Sequence, residues 1–180
     1  MPQITLHTPL GELTVFEAEG AIVAIEWGRA GHPDPVLGAS SETPLLRAAR
    51  DQLQDYFDGT RTGFDLPLAP HGTPFQRRVW DALCAIPAGE TRSYAEIGRA
   101  IGCRAPRAIG QANGSNPIPI LIPCHRVVAA DGSLGGYSGG EGPATKRFLL
   151  DLERRALAHG GGDGAGGSGA RGTSRQGTLL

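Results

Sequence analysis

The chain has 180 residues, 39% hydrophobic and 19% charged, enough for one domain or two small ones with a modest core. No apolar run approaches the roughly 18 residues of a membrane span, and Met1-Pro2-Gln3-Ile4-Thr5 lacks the basic and apolar regions of a secretory leader. Cys84, Cys103 and Cys124 are an odd set without framework spacing, which predicts free thiols in a reducing cytoplasm.

The net charge of −1 is unevenly spread. Residues 1–70 carry 4 basic and 10 acidic side chains, residues 71–130 carry 7 and 3, and residues 131–180 carry 6 and 5. The basic middle suits a polyanion, although a solvated surface explains it equally well.

Residues 3–7, 13–16 and 21–27 read as strands of a hairpin or meander, with Thr8-Pro9-Leu10-Gly11 and Gly20 as turns. Residues 29–43 are rich in Gly, Pro and Ser and read as a loop. Leu45, Leu46, Ala49, Leu53 and Phe57 repeat near 3.6 residues, predicting a helix over 44–57 that ends before Gly59. Nothing before residue 73 has an evident catalytic pattern, so this part reads as a scaffold.

Thr73-Pro74-Phe75-Gln76 carries an N-cap, a proline at the first helical position and a capping-box glutamine. Phe75, Val79, Leu83 and Ile86 then share a face, and Pro87-Ala88-Gly89 stops the helix. Ser93-Tyr94-Ala95-Glu96 is a second capping box, with Gly102 as the stop. A third helix starts at Ala105-Pro106-Arg107 and runs to Asn113-Gly114. Two short helices around a glycine-containing turn are the shape of a helix-turn-helix, whose second helix meets DNA. Ala108 and Gly110 on that helix either allow a close backbone approach or pack against a neighbour.

The stretch Asn116-Pro117-Ile118-Pro119-Ile120-Leu121-Ile122-Pro123-Cys124-His125-Arg126-Val127-Val128 follows. Its prolines fix their own φ and push the preceding residues toward extended geometry. Cys124 reads either as a small buried hydrophobe or as a nucleophile activated beside His125. Residues 127–134 read as a strand and an Asp-Gly turn. Gly135-Gly136-Tyr137-Ser138-Gly139-Gly140 is a loop, and residues 143–159 form the last helix, with Leu149, Leu152 and Ala156 inward. The tail from 160 holds nine glycines in 21 residues and no aromatic residue, which predicts disorder.

Pro123-Cys124-His125-Arg126-Val127 resembles the active-site signature of the O6-alkylguanine-DNA alkyltransferases. Ser93-Tyr94, Arg107-Ala108-Ile109-Gly110, Ala112-Asn113-Gly114, Asn116-Pro117, Gly135-Gly136-Tyr137, Lys146, Leu149-Leu150 and Glu153 resemble further family landmarks, in family order. The fold expected is mixed α/β (α+β). A small strand-rich α/β unit over residues 1–72 precedes a mainly helical, winged-helix-like helix-turn-helix unit over 73–159, and a Gly-rich tail spans 160–180.

The resemblance implies one irreversible transfer of an alkyl group to Cys124, from O6 of guanine and from O4 of thymine in DNA. In that scheme His125 is the general base, Glu153 orients it, Tyr94 donates toward the leaving base and Asn116 braces the turn under the cysteine. Arg107, Ala108, Gly110, Gln111 and Asn113 face the DNA minor groove, with Arg107 filling the space of the flipped base. Pro119, Val127, Gly135, Tyr137 and Ser138 line the pocket. The partner is double-stranded DNA containing O6-alkylguanine, bound by a monomer. No cofactor is expected, and no metal, because no cysteine precedes Cys84.

The chain departs from the family pattern in three places. It is one residue short between Tyr94 and Arg107, has Pro106 where alanine is common, and has about two extra residues between Tyr137 and Lys146. The last puts the length of the pocket loop in question. Two other functions stay open at this level. One is a sensor that flags alkylguanine without removing the group, whose relatives replace the cysteine. The other is a Cys-His hydrolase, which needs an oxyanion site and a distant histidine that nothing marks.

Overall fold

A computed structural model describes residues 1–28, 42–137 and 139–160. The expected loop over 29–43 lies largely outside those residues, as do Ser138 and the tail from 161.

Strands β1 (Gln3–Thr8), β2 (Gly11–Ala18) and β3 (Ala21–Trp27) form an antiparallel meander. Ile4 pairs with Val15, and Val15 with Ile25, so these three buried side chains share one face, while Thr14 is buried on the other. The β2–β3 turn places Glu19 and Gly20 at φ 51° and 77°. Two positive φ angles twist a two-residue turn with the strands, which the glycine permits.

Helix α1 (Pro44–Phe57) packs on this sheet, with Leu46, Ala49, Leu53, Tyr56 and Phe57 inward. Its start follows from Thr43, whose hydroxyl accepts the Leu46 N–H at 3.1 Å, and from Pro44 in the first turn. Each buried leucine contributes about 1.5–3 kcal/mol.

Helices α2 (Pro74–Cys84) and α3 (Tyr94–Ile101) each begin with a complete capping box, Thr73 with Gln76 and Ser93 with Glu96. Gly102 ends α3 at φ 72°. Helix α4 (Pro106–Gly114) has no side-chain cap and relies on Pro106 and on packing. The Trp80 indole N–H donates to the Ala112 carbonyl at 2.8 Å and ties α2 to α4. At the turn between α3 and α4, a Cβ on Gly98 would collide with the Cys103 carbonyl oxygen, so a side chain there would open the helix-turn-helix.

Residues 127–134 hold the expected strand and Asp-Gly turn, with Gly132 at φ 80° and its N–H on the Ala129 carbonyl at 2.9 Å, and the strand is short. Only β5 (Val127–Val128) forms, pairing in parallel with β4 (Arg92–Ser93). The Ala129 N–H turns instead to the Ser133 carbonyl at 2.9 Å, which ends the ladder. Helix α5 (Pro143–Ala158) closes the fold with Leu149, Leu152 and Ala156 buried. One continuous apolar cluster runs from Ile4 on the sheet through α1 to Leu152. Among the described residues no helix is long and apolar enough to cross a membrane, and no group of three or more His, Cys, Asp and Glu side chains is arranged to hold a metal.

Candidate active site

Cys124 opens a 3-10 turn, Cys124–Arg126, directly after the proline-rich run. It is 5% exposed and lies on the wall of a pocket of about 840 Å³. Asn116 braces the approach, its side-chain amide donating to the Ile122 carbonyl at 2.7 Å and its oxygen accepting the Ile118 N–H at 3.0 Å. Ile120 takes φ 74° in this run, a left-handed conformation that costs a β-branched residue about 1–3 kcal/mol. Packed apolar neighbours hold it there at 1% exposure.

Behind the cysteine lies a fully enclosed ionic cluster. The His125 Nε2 meets Glu153 Oε1 at 2.7 Å, with no exposed side-chain surface on either residue. Arg126 grips the same carboxylate through both Nε, at 3.0 Å, and a terminal nitrogen, at 2.8 Å, and donates to the Ile86 carbonyl at 2.7 Å. Burial alone pushes the Glu153 carboxyl up, but the His125 hydrogen bond and charge and then Arg126 outweigh it and hold the pKa at about 2.

Glu153 is therefore ionised and accepts, so His125 carries its proton on Nε2. The Nδ1 of His125 is buried with no hydrogen-bond partner, and its lone pair remains to take a proton. Burial pushes the imidazole pKa down against the pull of Glu153, which keeps the ring neutral near pH 7.

Burial also dominates at Cys124 and pushes its thiol up. The Asn116 amide, the Lys146 charge and the Tyr137 hydroxyl pull it back without offsetting the burial. A thiol held in its neutral form needs a base at the moment of reaction. Lys146 is buried, its pKa lowered by burial to about 8, and its ammonium donates to the Val127 carbonyl. The Tyr137 hydroxyl faces the thiol without a well-formed hydrogen bond.

Several side chains anticipated from the sequence meet at one pocket. Tyr94, Gly110, Asn113, Asn116, Pro119, Cys124 and Tyr137 line it, while His125 and Glu153 stand behind the cysteine. Gly135 borders Tyr94, with space of only 3.3 Å between a Cβ there and the tyrosine hydroxyl. Val127 is fully buried and turns its carbonyl to Lys146, not to the pocket.

Arg107 and Gln111 are exposed on α4, and Ala108 and Gln111 line a shallow groove shared with Thr73 and Phe75. A Cβ on Gly110 would stand 3.8 Å from the nearest Tyr94 atom, so packing does not demand this glycine. Asn113, expected on the DNA face, is 5% exposed, and its amide donates to the Cys124 carbonyl at 3.3 Å. It braces the cysteine from below. Ser138 lies outside the described residues.

The first half of the chain contributes more than support. Ala24, Ile25, Glu26 and Trp27 of β3 form one wall of the pocket, and the Ile25 N–H donates to the Pro117 carbonyl at 2.9 Å. Tyr56 of α1 donates to Glu153 at 2.8 Å. No local sequence signal marks these residues, because their partners lie far along the chain. Arg126 was visible only as a letter of the motif, and its grip on Glu153 needed the fold.

A lone thiol backed by a buried histidine–carboxylate pair and bordered by a helix-turn-helix defines a nucleic-acid-reading protein with a single-cysteine reaction centre. Comparison with known proteins narrows this class. The family model described as "6-O-methylguanine DNA methyltransferase, ribonuclease-like domain" matches residues 2–70, and the one described as "6-O-methylguanine DNA methyltransferase, DNA binding domain" matches 74–155. The chain belongs to the 6-O-methylguanine DNA methyltransferase family.

The constitutive methylated-DNA–protein-cysteine methyltransferase of Bacillus subtilis is 46% identical over 155 residues, covering 83% of this chain and 93% of the relative. The methylated-DNA–protein-cysteine methyltransferase of Mycobacterium tuberculosis is 44% identical over 151 residues, covering 83% and 90%. The fold is similar to that of Mycobacterium tuberculosis OGT in complex with DNA, with a TM-score of 0.75 and 43% identity over 87% of this chain and 94% of that one.

Proposed function

We propose that this chain repairs alkylated DNA by moving an alkyl group from O6 of guanine to the sulfur of Cys124, once per molecule. The observation that carries this reading is the buried His125, pinned by Glu153 through Nε2 with Nδ1 left to accept a proton, next in the chain to a pocket-lining thiol. Names of relatives that cover most of this chain agree with it.

Duplex DNA lies along α4, where small residues let the backbone approach the minor groove. That groove carries little sequence code, which suits a protein that searches any sequence. The damaged guanine leaves the stack and enters the pocket, at a cost that is lower for a badly paired base. Arg107, exposed on the first turn of α4, fills the gap.

The thiol proton passes to His125 Nδ1, directly or through a water. The thiolate attacks the alkyl carbon, a C–S bond forms, and the C–O6 bond breaks with its electron pair going to O6. Tyr94, kept protonated by burial and by the nearby thiolate charge, supplies a proton to the departing base. A thiolate is a poor leaving group from an alkyl thioether, so the product is stable and the molecule is spent.

The division into units 1–72 and 73–159, a monomeric state and a cytoplasmic location belong to the same proposal, the last supported by three unpaired cysteines. DNA carrying a radiolabelled O6-methyl group tests the function. The label is expected to move to the protein in a 1:1 limit. Label released as free product, or retained on the DNA, contradicts the proposal.

A further inference from the structure

Tyr56 sits on α1, outside the segment that carries the cysteine, yet its hydroxyl donates to Glu153 Oε1 at 2.8 Å. Both residues are 1% exposed. The same oxygen accepts from His125 at 2.7 Å and from Arg126 at 2.8 Å, while Oε2 accepts only the Arg126 Nε, at 3.0 Å. The three donors on Oε1 therefore compete for its charge. The Tyr56 ring is fixed by Phe57, at 5.4 Å and 84° between planes, and by Phe64 at 5.3 Å. Burial first, and the Glu153 charge second, keep its hydroxyl protonated and therefore donating.

We infer that Tyr56 is a positioning residue for the alkyl transfer, its hydroxyl holding Glu153 Oε1 against His125 and setting how strongly that oxygen draws on the imidazole. The inference rests on the transfer reading above and gives the first half of the chain a part in the chemistry. The groups acting on this carboxylate and imidazole are Tyr56 from α1, Arg126 from the 3-10 turn and Lys146 from α5; one step further out, Tyr137 acts on Tyr56, Cys124 on Lys146, and Cys84 of α2 lies beside Arg126. Of these, only Tyr56 is altered in the test.

Without the hydroxyl, Oε1 keeps more negative charge and stabilises the imidazolium, so His125 becomes easier to protonate. Protonated His125 cannot act as the base. The test is the transfer rate of the full-length chain on O6-methylguanine duplex across the acid and neutral range. In Tyr56→Phe the acid limb is expected to move up by about half a pH unit, with the plateau at higher pH less affected. With 3-fluorotyrosine at position 56, a stronger donor of the same shape, the limb is expected to move down.

Leu46→Val removes a buried methylene from the same helix, ten residues away. It is expected to lower the melting temperature and leave the limb in place. A Tyr56→Phe profile that superimposes on that of the unmutated chain overturns the inference. So does an unmoved limb with 3-fluorotyrosine, which decides the matter even where Tyr56→Phe does not fold. Absence of transfer by the unmutated chain overturns the transfer reading itself.

Discussion

Arg126 and His125 are neighbours in sequence and share one carboxylate in space: Glu153 Oε1 lies 2.8 Å from the guanidinium and 2.7 Å from the imidazole. One residue therefore neutralises a buried cation and fixes the tautomer of a buried base. Glu153→Gln separates these roles from packing, because its volume is nearly the same. The Arg126 charge loses its partner, and the expected loss of stability in urea unfolding is about 3–5 kcal/mol. A glutamine amide also presents either a donor or an acceptor to Nε2, so the histidine tautomer is no longer fixed. Single-turnover transfer by the folded variant is expected to fall by at least ~10²-fold.

The same cluster predicts an acid limit to stability. In the folded chain the His125 pKa is lowered and that of Glu153 is held at about 2, so at both groups the unfolded chain binds more protons as pH falls. Their stabilisation is complete above about pH 6.5, the usual histidine value, and declines below it. Glu153 accounts for the part lost between its ordinary 4.5 and about 2. The urea midpoint is expected to drop steadily through this range, and Glu153→Gln is expected to flatten the lower portion. A midpoint that rises on acidification contradicts the assignment.

Arg107 stands exposed at the start of α4 and makes no described contact with the pocket. Arg107→Ala is expected to slow repair of O6-methylguanine in duplex DNA by about tenfold and to leave reaction with free O6-benzylguanine within about twofold, since only the duplex has a vacated stack to fill. Equal losses on both substrates remove the gap-filling role. Parallel stopped-time assays on the two substrates make the comparison.

Trp27 forms part of the pocket wall supplied by the sheet, and the loop after Tyr137 passes against it. A Cβ on Gly139 would stand 2.6 Å from the Trp27 indole nitrogen and 2.7 Å from the Tyr137 ring. Trp27→Ala opens this wall. The ratio of rates for O6-benzylguanine over O6-methylguanine in DNA is expected to rise by about 10-fold, the scale on which apolar pocket shape discriminates. An unchanged ratio means that the sheet does not bound the alkyl group.

Much of this molecule was legible before its fold was known, where the signal is local. The 3.6-residue repeat of Leu46, Ala49, Leu53 and Phe57 marks α1, and the capping boxes at Thr73 and Ser93 open α2 and α3, because a cap satisfies donors within its own turn. The Cys124-His125 pair and Glu153 were legible through the family pattern, and the structure brings all three to one place. What escaped is non-local. Tyr56 and Glu153 are 97 residues apart, and no periodicity links them. Asn113 belongs to a helix expected to face DNA, but its side chain points inward to the Cys124 carbonyl. The strand before the expected Asp131-Gly132 turn is only two residues long, because the Ser133 carbonyl takes the Ala129 N–H that a longer ladder needed.

Cys124→Ala separates chemistry from binding. The side chain lines the pocket but not the exposed face of α4. Affinity for duplex DNA, read by fluorescence anisotropy, is expected to stay within about twofold while transfer is abolished. Loss of binding along with transfer makes the residue structural.

The most direct measurement is peptide mass spectrometry of the unmutated chain after incubation with O6-methylguanine DNA. The account predicts a gain of one CH2 unit on the peptide containing Cys124, at one group per chain, with none on those containing Cys84 or Cys103. Disappearance of the lesion from the DNA with the Cys124 peptide unmodified contradicts it.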